Sequence, residues 1–419
     1  MAFRAKRGCG SVAWALLLLG CGARSGLSVP EPSVDAGQPD AEVDARTPPM
    51  VQQCIDATET EWVDLSFKAR IESADVLLLI DVTGSMGEEL AQIRATLRDR
   101  IVPEIERRIP DVQLAVASFA DFPVGEYGGG PDYPFRLDVA STANVWEVQH
   151  GLDGLVEVLG ADAPESQVEA LYQVATGEGR GEYVPPADCP RGTVGYPCFR
   201  ELGSRIVMLF TDAQFHNSPR GTEVYDGDLF STSPATYDEA ARALQAIGAR
   251  VLPLFSGRDF VSSAWARRDL RRVAGDTGAV TAGGDPIMVS IGEEAEGLDE
   301  GVVETVRTLV DETPMSLDAV AEDWPGDEVD ATRLVERIEP WRADPPGWAT
   351  KTDRGFEDVQ PGTRVTFRLR LDHGALTSAD PEQRYLLRIV LRRGGVVRMK
   401  EKLIEIVVPG RTAGCGGRM

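Results

Sequence analysis

The sequence predicts an α/β protein, with a doubly wound, mostly parallel sheet followed by a smaller antiparallel β-sandwich. Three observations carry that expectation. Residues 76–80 (Val-Leu-Leu-Leu-Ile) and 206–210 (Ile-Val-Met-Leu-Phe) are apolar runs without alternation, as expected of parallel strands covered on both faces. After the first run, Leu90, Ile93, Leu97 and Ile101 recur at helical spacing. Beyond about Pro314 the period changes to two. Val365, Phe367, Leu369 and Leu371 alternate there with Thr366, Arg368 and Arg370, as on a strand with one wet face.

Taken in order, the first apolar strand runs into Asp81-Val82-Thr83-Gly84-Ser85-Met86. In an open α/β sheet, ligands bind in the crevice outside the carboxyl ends of the strands. This loop brings a carboxylate and two hydroxyls there, hard oxygen ligands of the kind Mg2+, Mn2+ or Ca2+ takes. A plainer role is also open: Ser85 with Glu88 forms an S-x-x-E capping box, and Asp81 only trims the turn. The strand over residues 112–119 ends in Ala120-Asp121. Asp162 and Glu165 flank Pro164, expected in the first turn of a helix through Val168, Leu171 and Ala175. A long insertion over residues 176–204 precedes the second apolar strand, which ends in Asp212. Thr236 with Glu239 is a capping-box pair for a helix through Tyr237, Ala240, Leu244 and Ile247, closed by Gly248. Residues 251–255 read as a strand whose Pro253 argues for an edge or an irregularity. Helices over 264–274 and through Val302, Val306 and Leu309 end this part.

The ordered set DxTxS at 81–85, DxPE at 162–165 and TDA at 211–213 resembles the von Willebrand factor A domain, specifically the integrin β-subunit I-like variant with its metal-ion-dependent adhesion site. The resemblance spans roughly residues 74–312. It implies that Asp81, Thr83, Ser85, Glu165 and Asp212 hold a divalent cation, Asp212 through water. It also implies an adjacent metal site beside Glu88 and Glu89, and a third ion held by Asp121, Asp162 and Glu165. Where the family has an asparagine two positions before Asp162, this chain has Gly160. Glu88 and Glu89 equally suit the first turn of a helix as dipole-favoured acids. The implied partner is a protein ligand whose Asp or Glu carboxylate completes the metal shell, which is binding and not catalysis.

Two other functions compete. Residues 81–85 also resemble the DKTGT motif of phosphoryl-transferring ATPases, although position 82 is Val and no GxxxxGK loop is present. A metal with Asp81 could hydrolyse phosphoesters, with His216 as base. Alternatively the fold serves as a metal-free scaffold.

The ends of the chain speak of export. Residues 1–20 carry Arg4, Lys6 and Arg7 ahead of a short apolar stretch, the pattern of a secretory signal. Leu18-Leu19-Gly20-Cys21 resembles a bacterial lipobox, which implies lipid on Cys21 and a place in the cell envelope, facing the periplasm or the outer surface. Residues 21–53, rich in Pro, Asp, Ala and Ser, are expected to be a disordered tether. Residues 54–73 read as extended and are expected to join the sandwich of residues 315–410, with 411–419 as a tail. That would insert the 74–312 domain between sandwich strands, an arrangement similar to the hybrid domain beneath an integrin I-like domain.

A formal charge of -24 argues against nucleic acid and anionic lipid as partners, so the lipid is the expected membrane contact. Beyond the signal and Cys21, four cysteines remain. Cys189 and Cys198 are close neighbours and expected to pair, which leaves Cys54 with Cys415 to tie the ends of the folded unit together. Zinc is the competing use, but no CxxC spacing occurs.

Overall fold

A computed structural model describes residues 50–55, 61–257, 261–291, 297–325, 329–372, 381–410 and 415. The signal segment, Cys21, the tether up to residue 49 and most of the 411–419 tail lie outside the described residues. The chain enters at β1 (Met50–Cys54), so the last residues of the expected tether are paired strand. β2 (Glu61–Lys68) follows, and then β3 (Ser73–Asp81), which carries the first apolar run.

A mixed, largely parallel sheet is built around β3. α1 (Gly87–Thr96) passes through a π turn at Leu97–Ile101 into α2 (Val102–Arg108), where Pro103 lacks the N–H that a regular helix needs. β4 (Asp111–Phe119), β5 (Arg136–Thr142), α3 (Val145–Asp153) and α4 (Gln167–Thr176) come next. A small hairpin, β6 (Thr193–Val194) and β7 (Phe199–Arg200), fills the insertion ahead of β8 (Ser204–Thr211). α5 (Tyr237–Ala246), β9 (Ala249–Phe255), α6 (Val261–Asp276), β10 (Val289–Ser290) and α7 (Leu298–Arg307) complete this part. The sheet order is β10-β9-β8-β3-β4-β5, parallel except for β5. β10 pairs only from Leu254 onward, directly after Pro253, so the proline sits where that ladder has not begun.

Alternate residues of β3 explain its unbroken apolarity. Val76, Leu78 and Ile80 join one core with Leu90, Ile93 and Val302, while Leu77 and Leu79 join another with Leu171, Leu244 and Leu270. Each of these buried side chains contributes about 2 kcal/mol relative to exposure. At α5 the Thr236–Glu239 capping box is formed in both directions.

The rest of the chain is antiparallel. It comprises β11 (Met315–Asp323), β12 (Val335–Asp344), β13 (Thr350–Lys351), β14 (Gly355–Val359), β15 (Arg364–Leu371), β16 (Gln383–Arg393) and β17 (Val397–Val408). One sheet has the order β1-β17-β16-β11-β14-β13 and the other β12-β15-β2. Both N-terminal strands thus belong to sheets that C-terminal strands build, β1 running parallel to β17 and β2 antiparallel to β15. Gly394 and Gly395, with φ of 57° and 73°, make the β16–β17 turn that a side chain would strain. Cys54 pairs with Cys415 and Cys189 with Cys198, which fits an exported or extracellular protein. No described helix is long and apolar enough to cross a membrane.

Candidate metal centre

Three parallel strands place acids at one edge of the mixed sheet. Asp81 is the last residue of β3, Asp212 follows β8, and Asp121 lies two residues beyond β4. The Asp81 carboxylate is held at both oxygens: Thr83 donates to Oδ1 from its N–H at 3.0 Å and its hydroxyl at 2.7 Å, and the Thr211 hydroxyl donates to Oδ2 at 2.7 Å. Gln167 in turn donates to the Thr211 oxygen at 3.0 Å. Ser85 Oγ donates to Asp212 Oδ1 at 3.0 Å and lies 3.4 Å from Thr83 Oγ1. No side-chain cap bond forms at the start of either helical turn here, so Ser85 faces Asp212 rather than closing a capping box. Asp81 is fully buried, Asp212 half-buried and Ser85 exposed, so the group rises from a closed floor to an open rim.

Glu165 reaches this group by a route the sequence did not suggest. Pro164 precedes the helix instead of opening it, because α4 begins at Gln167 with Ser166 as its cap. Glu165 itself bridges to Phe215: its N–H donates to Gln214 O at 3.0 Å and its carbonyl accepts from His216 N at 2.9 Å. That extended pairing excludes helical geometry at Glu165 and pins it beside the Asp212 loop. Its Oε2 is buried with no hydrogen-bond partner among the described residues. Gly160 has a φ of +64°, and a Cβ there would lie 3.0 Å from Glu165 Oε1, so a side chain at this position would crowd the Glu165 carboxyl.

The electrostatics follow from like charges converging out of water. Burial, then the charges of Asp81, Asp121, Asp162 and Asp212, push the Glu165 carboxyl up to about 11. Burial and Asp212 raise Asp81 to about 7 against the hydroxyls that hold it. Burial raises Asp212 as well, opposed by the Ser85 hydrogen bond. A cation among these oxygens would remove the repulsion, and Glu165 Oε2 is an acceptor already in place for one.

Beside this group lies a second one. Asp121, Asp162 and His216 each offer a ligand atom, all within 4.8 Å of one another, and together could hold a metal. His216 Nε2 is 3.2 Å from Asp121 Oδ2 and 3.1 Å from Asp162 Oδ2, while Nδ1 is 3.0 Å from Glu223 O. Burial pulls the imidazolium pKa down, but the two carboxylates outweigh it and raise it to about 9. The Tyr225 hydroxyl and the Phe122 N–H both donate to Asp121 Oδ1. The implied ligand set for a third ion, Asp121, Asp162 and Glu165, thus has His216 between its two aspartates. At the other flank Glu88 is exposed and Glu89 is buried, with Oε2 unpartnered among the described residues and its carboxyl raised by burial. The two neighbours point to different environments.

Thr211 lies in the TDA motif, which by itself gives it no role; Gln167 and Tyr225 belong to no motif and are ordinary residues of a helix start and a loop.

No protein-family model and no curated protein matches the sequence. Among solved structures, the chain is similar to a von Willebrand factor type A protein from Catenulispora acidiphila at 12% identity, covering 86% of this chain and 72% of that one, with a TM-score of 0.36. It is similar to the open conformation of the pilus adhesin SpaC from Lactobacillus rhamnosus GG at 10% identity, over 82% and 45% of the two chains, with a TM-score of 0.34. It is also similar to proximal thread matrix protein 1 of the mussel byssus at 13% identity, over 58% and 47%, with a TM-score of 0.32. Likenesses this distant carry no argument about function, which rests on the site's own geometry.

Proposed function

We propose that this chain is an envelope-anchored binding module of the von Willebrand factor A type, in which Asp81, Thr83, Ser85, Asp212 and Glu165 hold Mg2+, Mn2+ or Ca2+ and a partner protein supplies a carboxylate to the ion. The observation that carries this reading is the convergence of three carboxylates and two hydroxyls from separate loops, with a buried Glu165 oxygen that no group among the described residues satisfies. Such an ion, when bound, supplies an electrophilic centre that prefers an outside anion. The chain's own residues set the stage for it. Thr83 and Thr211 fix both Asp81 oxygens, Ser85 and Asp212 form the open rim, and Glu165 closes the buried side. In the same reading Cys21 carries the lipid, residues 22–49 are the tether, and the mixed sheet forms a domain set between strands of an antiparallel sandwich.

The site is a binder rather than a hydrolase in this reading. Both ring nitrogens of His216 are engaged, Nε2 by Asp121 and Asp162 and Nδ1 by Glu223 O, so the base that hydrolysis would require is occupied. The Asp121, Asp162 and His216 group holds a second cation or, with the imidazolium in place, balances its own charge. The test is a pull-down from envelope extract with the wild type and Asp81→Ala, each with and without chelator. Partners captured only by the wild type and only without chelator are expected; capture indifferent to both changes would overturn the proposal.

A further inference from the structure

At the opposite edge of the mixed sheet, three buried arginines gather where β16 and β17 meet it. Arg205 and Arg250 are the second residues of β8 and β9, at their amino ends, and Arg393 is the last residue of β16; they are 4%, 8% and 6% exposed. Backbone carbonyls satisfy part of this set. Arg205 donates to the carbonyls of Ile247, Arg200 and Glu201, with Asp75 and Glu201 near enough to offset its charge. Arg393 donates to Gly248 O at 3.0 Å and to Ser204 Oγ at 3.3 Å, and no described carboxylate pairs with it. The Arg250 side chain has no hydrogen-bond partner among the described residues, and its Nη1 is buried.

Arg250 and Arg393 line one cavity of about 390 Å3, whose wall also carries Thr277, Thr313, Ser316 and Gln245. The described carboxylate on that wall, Asp276, is already taken by Arg272 at 2.7 Å and by the Tyr237 hydroxyl at 2.9 Å. Isolated cations are costly out of water unless an anion meets them. Burial lowers the Arg250 pKa to about 10, and burial with the charges of Arg250 and Arg205 lowers Arg393 well below the usual guanidinium value. Guanidinium forks match the planar or tetrahedral oxygens of carboxylate and phosphate.

We propose that this cavity binds a small oxyanion, a carboxylate or phosphate group, between Arg250 and Arg393. Its position makes the anion a clamp. Arg250 belongs to the mixed sheet and Arg393 to the antiparallel one, and the two parts also touch through the Gly203 N–H to Arg398 O bond at 2.8 Å. The site draws on none of the residues at the metal centre, so it stands or falls independently of that reading.

The experiment is thermal unfolding of the disulfide-intact chain in chelator, with phosphate or acetate titrated against chloride at equal ionic strength, for the wild type and Arg250→Met. A saturable rise of several degrees is expected in the wild type and its loss in the variant, which starts from a higher melting temperature without anion because a buried unpaired cation is gone. A response to phosphate alone assigns a phosphoryl ligand and one to acetate alone a carboxylate, and either supports the site. No shift beyond chloride with either anion, or an equal shift in Arg250→Met, would overturn it. Should the variant not fold, equilibrium dialysis of labelled phosphate and acetate against the wild type decides: one anion retained per chain supports the site, and none retained rejects it.

Discussion

The two edges of the mixed sheet are electrostatic opposites. At the carboxyl ends of β3, β4 and β8, the acids Asp81, Asp121 and Asp212 converge with Glu165; at the amino ends of β8 and β9, Arg205 and Arg250 meet Arg393. Each edge holds more charge of one sign than its protein partners cancel. The difference lies in how that charge is handled. The acids are dressed with hydroxyls that orient their oxygens toward a common space, whereas Arg250 is left without any partner among the described residues. Orienting hydroxyls around a carboxylate group suit a cation of defined coordination. A bare guanidinium in a cavity suits an anion whose shape it can fork around.

The largest expected effect breaks the acidic edge. Asp81→Ala removes the buried charged ligand, so divalent ions that raise the melting temperature of the wild type should leave the variant unmoved, and metal affinity should fall by about 4 kcal/mol or more, roughly a thousandfold. Thermal unfolding with and without metal reads this directly.

A second effect concerns pH. Glu165 and Asp81 have folded-state values of about 11 and about 7, above those of carboxyls in the unfolded chain. Between the unfolded and folded values the folded state therefore binds more protons, so metal-free stability is fully present below about pH 4 for these groups and is lost as pH rises, through about 7 for Asp81 and about 11 for Glu165. Melting in chelator across that window should fall with pH, and a saturating divalent cation should flatten the slope. Glu165→Gln should flatten it without metal.

The basic edge answers to a smaller change. Arg250→Met in anion-free buffer should stabilise the chain by about 1 kcal/mol, since an unpaired buried cation gives way to an apolar side chain of similar length. Denaturant unfolding would reveal the shift in midpoint. Smaller again is Ser85→Ala, which removes a neutral hydroxyl from the exposed rim. Metal affinity should drop by about tenfold, near 1.4 kcal/mol, as calorimetry of the variant would measure.

The two edges also differ in how far the sequence exposed them. The acidic residues sit directly after apolar strands, in short motifs whose residue types already suggest a cation, so local pattern alone places Asp81, Asp121 and Asp212 at one edge. Glu165 could be named but not positioned, because its pairing with Phe215 depends on a loop fifty residues away in the chain. His216 between Asp121 and Asp162 was hidden for the same reason. The basic edge was invisible: Arg205, Arg250 and Arg393 look like polar strand ends in a chain with 43 basic residues, and only the approach of the β16–β17 hairpin buries them together. The fold class itself was legible because period and apolarity are local, while the pairing of β1 with β17 and β2 with β15 is a long-range fact, hinted at only by the extended pattern near the N-terminus and the expected Cys54–Cys415 bridge.

The central claim is that the acidic edge is a divalent cation site, and calorimetric titration of the chelator-stripped wild type with Mg2+, Mn2+ and Ca2+ in the millimolar range tests it most directly. A saturable heat with at least one ion, matched by a rise in melting temperature and absent from Asp81→Ala, is the predicted result. No heat and no thermal shift with any of the three, or the same response in Asp81→Ala, would contradict it and leave a metal-free scaffold as the reading of this fold.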